Sequence, residues 1–162
     1  MAGRLPGQFL ATSRVCKVSI EVESSRPANY ELLIADDDPG FRETLKHIFE
    51  PHFHTVEASC GEEVIEIVQR REVHLILLDM HMQLLTGLDT CRIVVQEMNL
   101  ILPCILITAD ATEELRRDAA ELHVYSVLAK PVRRADLIST VTTAIVDRYH
   151  DPDVRELLHA AS

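Results

Sequence analysis

Four apolar stretches of this 162-residue chain are each followed by polar side chains of types that take part in chemistry. They are carboxylates, a hydroxyl and an ammonium group: Asp36, Asp37 and Asp38 after the first stretch, Asp79 after the second, Thr108 at the end of the third and Lys130 after the fourth. Neighbouring carboxylates repel one another unless a cation lies among them, and Mg²⁺ suits a site with few protein oxygens. The pattern therefore indicates a metal site, provided that the fold brings the stretches together.

The same residue types indicate phosphoryl transfer. An aspartate beside a bound Mg²⁺ can act as a nucleophile toward a phosphoryl group. A lysine and a hydroxyl would stabilise the charge on the oxygens of the transferred group. The resulting aspartyl phosphate adds charge and acceptor oxygens, which can pull Thr108 and its loop into a new position.

Strand and helix signals alternate five times along the chain. The predicted strands are short apolar runs, and the predicted helices carry apolar residues at helical spacing, such as Phe41, Leu45 and Phe49 in the first helix. Asp38 is the expected N-cap of that helix, with Pro39 at its first position. The strands are predicted at 32–35, 53–58, 74–78, 104–108 and 124–128.

Capping pairs predict the starts of two further helices. Ser59 with Glu62 precedes the second helix, and Asp110 with Glu113 precedes the fourth. In such a pair the first side chain accepts a hydrogen bond from a backbone N–H of the first turn, and the acidic side chain bonds back to the cap. Both helices are therefore expected to begin directly after Ser59 and Asp110.

Five alternating strand and helix units imply an α/β fold, with a parallel sheet covered by helices on both faces. Right-handed crossovers make such a sheet doubly wound. Ligands bind beyond the carboxyl ends of the strands in open sheets of this kind. Because the polar residues named above all follow strand ends, we expect them to meet at one edge of the sheet.

The composition narrows the class of partner. The chain carries 26 acidic and 16 basic residues, a formal net charge of −10, and such acidity disfavours direct binding to nucleic acid. No apolar stretch approaches the roughly 18 residues that a membrane span needs. The four cysteines form no C-x-x-C pair, which is typical of reduced thiols in a cytoplasmic protein. We expect a cytoplasmic protein that acts on other proteins.

The chain divides into three predicted parts. Residues 1–29 are an extension and linker, in which alternation at 15–23 indicates a short strand. Residues 30–149 form the α/β domain, and residues 150–162 form a short helical tail that folds back or docks a partner. Since few residues follow Tyr149, no output domain is expected.

Four short motifs, taken together in this order, resemble the receiver domain of bacterial two-component response regulators. They are Leu33 to Pro39, Leu75 to Met82, Ile107 to Ala109, and Lys130 with Pro131. The resemblance covers residues 30–149. It implies a flavodoxin-like (βα)5 fold with strand order 2-1-3-4-5.

The resemblance also implies a role for each candidate residue. Asp79 would be the phosphoacceptor, Thr108 the switch hydroxyl, and Lys130 the ammonium that pairs with the acceptor and then with the phosphate. The Lys130–Pro131 bond would be cis. Mg²⁺, with Mn²⁺ as an alternative, would be held by Asp36, Asp37, Asp79 and the backbone carbonyl of His81.

The partners implied by the resemblance are proteins. A histidine kinase or a histidine-containing phosphotransfer protein would donate the phosphoryl group, and a downstream protein would receive the signal or the phosphate. The chain would assist its own phosphorylation and dephosphorylation without being an enzyme. A homodimer through the last two helices is a further expectation, because these helices carry the basic residues Arg116, Arg117, Arg133 and Arg134.

The sequence departs from the family pattern at three positions. Gln83 replaces a usual proline, Thr86 a usual aspartate, and Val127 a usual aromatic residue that moves with the switch threonine. Tyr125 lies two residues before Val127, so strand alternation could place it on the same face as a substitute.

Two other functions remain open from the sequence. One is a binding module of the same fold that has lost phosphorylation, which the three departures favour. The other is a Mg²⁺-dependent phosphohydrolase, but such enzymes place a second aspartate two residues after the nucleophile, where this chain has His81. The complete set of acidic, hydroxyl and lysine residues favours the phosphorylated receiver.

Overall fold

The structure, a computed structural model, describes residues 28–156, in which five strands alternate with five α-helices. The strands are β1 (Ala28–Ala35), β2 (Phe53–Ala58), β3 (Leu75–Asp79), β4 (Cys104–Thr108) and β5 (Ser126–Ala129). The helices are α1 (Pro39–Phe49), α2 (Gly61–Arg70), α3 (Gly87–Arg92), α4 (Glu113–Glu121) and α5 (Arg134–Tyr149). A π-helical turn (Ile93–Glu97) continues α3, and a 3-10 turn (Pro152–Arg155) follows α5. No helix within 28–156 is long and apolar enough to cross a membrane.

The five strands form one parallel sheet in the order β2-β1-β3-β4-β5. This confirms the predicted fold class and strand order. The register pairs Ala35 with Leu78, and Asp79 with Ile107. The carboxyl ends of these strands therefore lie side by side at one edge of the sheet.

Two apolar layers bury the sheet from both faces. Helices α1 and α5 cover one face, which we call the α1/α5 layer, and α2, α3 and α4 cover the other, the α2/α3/α4 layer. Every residue of β3 and β4 is buried, as expected for central strands of a parallel sheet. Burying each leucine or isoleucine contributes about 1.5–3 kcal/mol, so these strands form a firm base for the residues at their ends.

Helix α1 begins as the sequence predicts. The Asp38 side chain is its N-cap and accepts hydrogen bonds from the backbone N–H groups of Gly40 (2.9 Å) and Phe41 (3.4 Å). Leu45 and Phe49 face inward and are buried. The cap fixes the first turn of α1 directly beside the end of β1.

The capping pair predicted for α2 is wrong. Ser59 bonds to Glu63 rather than to Glu62, through its backbone N–H (2.7 Å) and its hydroxyl (3.0 Å). The N-cap residue is Cys60, which makes no capping bond through its side chain. Because the backbone of Cys60 is still extended, the helix begins one residue later than the predicted pair requires.

The capping pair predicted for α4 is also wrong. The N-cap is Thr112, whose hydroxyl accepts a hydrogen bond from the backbone N–H of Leu115 at 3.1 Å. Asp110 instead lies in the preceding loop, where its backbone N–H donates to the Thr108 hydroxyl at 3.1 Å. The loop between β4 and α4 is thus longer than predicted, and it is tied to Thr108.

Tyr30, His74 and Tyr149 form an aromatic cluster at the amino edge of the sheet, with ring centroids 5.3 to 5.5 Å apart. The Tyr30 hydroxyl donates to Asp151 Oδ2, and the Tyr149 hydroxyl donates to the His74 carbonyl, both at 2.8 Å. Val154 of the 3-10 turn is buried in the α1/α5 layer. The first part of the predicted tail therefore folds back onto the domain, while residues 157–162 and the predicted strand at 15–23 lie outside the described residues.

Candidate functional site

Three aspartates meet at the carboxyl edge of the sheet. Asp36 follows β1 and is 1% exposed, Asp79 ends β3 and is 5% exposed, and Asp37 is exposed to solvent. One carboxylate oxygen of each lies within 4.8 Å of the others. The edge thus brings together Asp36, Asp37 and Asp79, three of the four predicted metal-binding residues.

The end of β1 is held by bonds that fix Asp36. Its backbone N–H donates to the Ala58 carbonyl at 3.2 Å, and its Oδ1 accepts from the Asp38 N–H at 2.8 Å. Its carbonyl accepts a hydrogen bond from Arg42 Nη1 at 2.7 Å. Arg42 is in turn paired with Glu57 of β2, at 3.4 Å between Nε and Oε1. These bonds fix both the backbone of Asp36 and one of its carboxylate oxygens.

Lys130 reaches the acidic cluster from the end of the edge strand β5. It follows β5, where its backbone N–H donates to the Thr108 carbonyl at 2.7 Å. Its Nζ lies 2.9 Å from Asp79 Oδ1 and 3.5 Å from Asp36 Oδ2. The Lys130–Pro131 peptide bond is cis, as the resemblance implies.

Thr108 ends β4, between the strands that carry Asp79 and Lys130. The residue is buried, and its hydroxyl accepts the N–H of Asp110 at 3.1 Å. The distance from that hydroxyl to the Asp110 carbonyl is 3.4 Å, which is long for an O–H donor. The hydroxyl is therefore bonded within its own loop, with its proton only weakly engaged.

Burial and like charge set the protonation of the cluster. Burial raises the pKa of the Asp36 carboxyl above its ordinary value, and the charge of Asp79 adds to this, against the opposing effects of the Asp38 N–H and Lys130. The pKa of Lys130 is also raised, because its bonds to Asp79 and the charge of Asp36 outweigh the effect of burial. The described residues thus crowd more negative charge into this edge than one ammonium compensates.

The donor set fits a hard dication. Three carboxylates converge, one of them open to solvent, and this suits Mg²⁺ with water completing its shell. Burial and, to a smaller extent, the charge of Asp79 raise the pKa of Asp36, and a bound dication would favour the ionised carboxylate against both effects. His81 follows Asp79 by two residues and is exposed; its backbone carbonyl stays a predicted ligand.

The family model of the response regulator receiver domain matches residues 32–142. The chain belongs to this family. Receiver domains are in general signalling modules rather than enzymes, they bind Mg²⁺ through an acidic pocket, and they interact with histidine kinases or phosphotransfer proteins and with downstream targets. The match begins within β1, covers the other four strands completely, and includes the strand ends that carry the acidic cluster, Thr108 and Lys130.

Curated relatives share this receiver domain as part of longer proteins. The sensory/regulatory protein RpfC of Xanthomonas campestris is 28% identical over 126 residues, which is 75% of this chain and 17% of that protein. Response regulator RR06 of Streptococcus pneumoniae is 27% identical over 120 residues, 74% of this chain and 54% of that protein. The chain thus spans about half or less of the length of these relatives.

Solved receiver domains share the fold. A response regulator receiver protein from Pseudomonas putida is 27% identical, with a TM-score of 0.67, and the match covers 72% of this chain and 98% of that one. A CheY-like receiver domain protein from Methanospirillum hungatei is 18% identical, with a TM-score of 0.72 over 76% of this chain and 98% of that one.

Two of the departures from the family pattern lie just before α3 in this receiver domain, and one of them, Thr86, caps the helix. Thr86 is the N-cap and forms a capping box with Asp89, whose N–H it accepts at 3.1 Å. Gln83 is exposed, and the following Leu84 has a positive φ of 66° and is 91% exposed. Thr86 therefore replaces the usual aspartate with another good helix cap.

Tyr125 does not take the place of the missing aromatic residue at Val127. Its hydroxyl donates to Asp147 of α5 at 2.8 Å, whereas Val127 packs against the α2/α3/α4 layer. Burial and this bond raise the pKa of Tyr125 to about 12. The prediction from strand alternation is wrong because β5 begins at Ser126, two residues after the predicted start, so the alternation does not extend to Tyr125.

Sequence reasoning did not select Arg42 or Phe41 for the site. Arg42 anchors the carbonyl of Asp36, and the Phe41 ring lies beside Lys130. Arg42 could have been selected from the sequence, because it is a basic residue in the first turns of α1 and the acidic pair lies just before that helix. Phe41 carried no such signal, because its spacing fits the core stripe of α1 equally well.

Replacing Asp36 with asparagine should raise the free energy of unfolding by on the order of 1 kcal/mol at pH 7 without Mg²⁺, since it removes one of the crowded charges. A folded-state pKa above the unfolded value means that ionisation disfavours folding. This increase in the free energy of unfolding should vanish below pH 3.8, the ordinary pKa of an aspartate. It should grow as the pH rises from there through the raised pKa of Asp36. Urea unfolding of both proteins across this range measures it, and a gain independent of pH would contradict the explanation.

Proposed function

We propose that this receiver domain accepts a phosphoryl group on Asp79 from a phosphohistidine on a histidine kinase or phosphotransfer protein. The observation that carries the proposal is the convergence of Asp36, Asp37 and Asp79 within 4.8 Å, with the Lys130 ammonium 2.9 Å from the Asp79 carboxylate. The set combines a nucleophile, a metal-binding pair and a counter-charge. Family membership supports the same assignment.

In the proposed transfer, a carboxylate oxygen of Asp79 forms a bond to phosphorus. The bond between phosphorus and the donor's imidazole nitrogen breaks, and its electron pair stays on that nitrogen. Asp36, Asp37, Asp79 and the backbone carbonyl of His81 would hold Mg²⁺ or Mn²⁺, which supplies positive charge to the phosphoryl oxygens. Asp36 contributes from a fixed backbone, so the cluster needs little rearrangement.

Lys130 and Thr108 would respond to the transferred group. The Lys130 ammonium can follow the negative charge from the Asp79 carboxylate to the phosphoryl oxygens, which it stabilises at short range. The Thr108 proton is only weakly engaged, so it is available to donate to a phosphoryl oxygen. Since the Thr108 hydroxyl also holds the N–H of Asp110, its movement would carry the β4–α4 loop with it.

The changed position of the β4–α4 loop would signal to a protein partner. Alternatively, the phosphoryl group would be relayed from Asp79 to another protein. Val127 lies in β5 where the family usually has an aromatic residue, so the moving surface would consist chiefly of the loop and α4. We propose residues 30–149 as the unit that carries this function. A homodimer through α4 and α5 is a further proposal, supported by the exposed Arg116, Arg117, Arg133 and Arg134.

Intact-mass measurement tests the proposal. Incubation with acetyl phosphate and Mg²⁺ should add the mass of one phosphoryl group to the wild-type protein and none to Asp79→Asn, because the amide is not a nucleophile. Asp38→Asn is the matched control, since Asp38 caps α1 outside the metal cluster and asparagine caps equally well. Chelation of Mg²⁺ should also prevent the adduct.

The other outcomes distinguish the alternatives. No adduct on the folded wild-type protein favours a binding module that works without phosphorylation. An adduct that persists in Asp79→Asn places the acceptor elsewhere. Continuous hydrolysis of unrelated phosphate esters would identify a phosphohydrolase.

A further inference from the structure

The ammonium of Lys130 has an aromatic neighbour that the proposed transfer does not use. Its Nζ lies 4.2 Å from the centroid of the Phe41 ring, as well as 2.9 Å from Asp79 Oδ1 and 3.5 Å from Asp36 Oδ2. A cation within about 6 Å of a ring centroid is attracted by the negative face of the ring. The ammonium is therefore held by two carboxylates and one aromatic ring.

We infer that Phe41 is a positioning residue for Lys130, whose ammonium it holds against Asp79 and Asp36 through the face of its ring. The inference rests on the proposed function of Asp79 as phosphoacceptor. It assigns to a residue of the core stripe of α1 a part in phosphoryl transfer.

The ring of Phe41 has a fixed position. The N-cap Asp38 accepts the Phe41 N–H at 3.4 Å, and the side chain is half-buried against the α1/α5 layer. Leu128 and Val132, two residues to either side of Lys130, pack against the same layer. The ring and the base of the lysine side chain are thus anchored to one rigid surface.

A neutral anchor is useful because Asp79, the closest carboxylate partner of Lys130, changes its charge in the proposed transfer. A free lysine side chain has about 2 kcal/mol of rotamer entropy, so it does not hold one geometry unaided. When Asp79 becomes phosphorylated, the carboxylate that binds Lys130 most closely is converted into a mixed anhydride, and the negative charge moves to the phosphoryl oxygens. The Phe41 ring is unchanged by that step, so it can hold the ammonium near the new phosphoryl oxygens.

Nuclear magnetic resonance of the protein without Mg²⁺ or phosphodonor tests the contact. The ring face shields nuclei above it, so the Lys130 CεH₂ protons should shift downfield in Phe41→Leu and stay nearly unmoved in Phe41→Tyr. Ile48→Val is the matched control, because Ile48 also lies on α1 and packs, half-buried, against the same layer. It should lower stability without moving the Lys130 signals.

The rate of Asp79 phosphorylation tests the consequence. Phe41→Leu should slow adduct formation about fivefold, which corresponds to about 1 kcal/mol. Phenylalanine analogues with an increasing number of ring fluorines keep the shape of the ring but weaken its negative face. Introduced at position 41, they should slow the reaction step by step, a response that mere core packing would not produce.

Unmoved Lys130 protons in Phe41→Leu would overturn the inference, and so would a rate that is independent of ring fluorination. Failure of the proposed function gives a different result. If the wild-type protein forms no adduct, Asp79 is not an acceptor, whereas the Lys130 shifts, measured without phosphodonor, still decide whether Phe41 holds the ammonium.

Discussion

Replacing Gly87 with alanine should destabilise the fold by about 3 kcal/mol and prevent phosphorylation of Asp79. A Cβ atom at Gly87 would lie 2.5 Å from the backbone oxygen of Asp79 and 3.0 Å from Leu106 Cδ2. Gly87 opens α3 and is buried against the end of β3, with its N–H bonded to the Met80 carbonyl at 2.9 Å. Because the obstacle is backbone, no side-chain rotation relieves it, and either α3 or the acceptor strand must shift.

Thermal unfolding and intact-mass measurement check this prediction. The melting temperature should fall by roughly 10 °C. Gly40→Ala is the matched control, because Gly40 is exposed in the first turn of α1 and its new Cβ would lie 3.3 Å from a side-chain oxygen of Asp38. That substitution should change the unfolding free energy by about 0.5 kcal/mol or less. A Gly87→Ala protein as stable and as readily phosphorylated as the wild type would show that α3 is not pressed against Asp79.

Replacing Lys130 with methionine should reduce Asp79 phosphorylation about a hundredfold and lower stability at pH 7 by about 2 kcal/mol. The first effect follows from loss of a charged donor at the transferred group, a change that commonly costs two to three orders of magnitude in rate. The second follows because Asp36 and Asp79 are buried and would lose the ammonium that bonds to both. Removing one partner of a fully buried ion pair costs about 3–5 kcal/mol, and we expect less here because the lysine side chain is 27% exposed.

The stability effect has a characteristic dependence on pH and Mg²⁺. It should shrink as the pH falls through the raised pKa of Asp36, because protonated carboxyls need no counter-charge. Mg²⁺ should restore part of the lost stability by binding the folded cluster. Lys130→Arg, which keeps the charge, should retain most of the stability. If Asp79 of the Lys130→Met protein were phosphorylated at the wild-type rate, the ammonium would have no part in the transfer.

The fold could be predicted from the sequence because its signals are redundant. Five apolar runs alternate with helical stripes, and right-handed crossovers then leave few ways to arrange a parallel sheet. The errors lie at helix starts, where one extended residue decides the outcome. Cys60 stays extended and moves the start of α2, and Thr112 rather than Asp110 caps α4. Such choices depend on the loop before the helix, which carries no periodic pattern.

The site could be predicted as far as strand ends determine it. Asp36 follows β1 and Asp79 ends the adjacent β3, so their meeting follows from the topology alone. The anchoring of Asp36 by Arg42 and of Lys130 by Phe41 could not be foreseen, because each depends on the rotation of α1 against the sheet. The close approach of Gly87 to Asp79 is likewise a matter of packing distance rather than of residue type.

The aromatic cluster at the amino edge has a practical consequence for handling the protein. The bond between Tyr30 and Asp151 links β1 to the turn after α5 at the amino edge, which lies opposite the acidic pocket. A fluorescent fusion or a surface tether joined before Ala28 therefore starts about the length of the eight-residue β1, some 25 Å, from the acidic pocket. Sensor chips or affinity resins coupled to the protein at this amino edge should leave the pocket facing the solution, open to a kinase applied in the buffer.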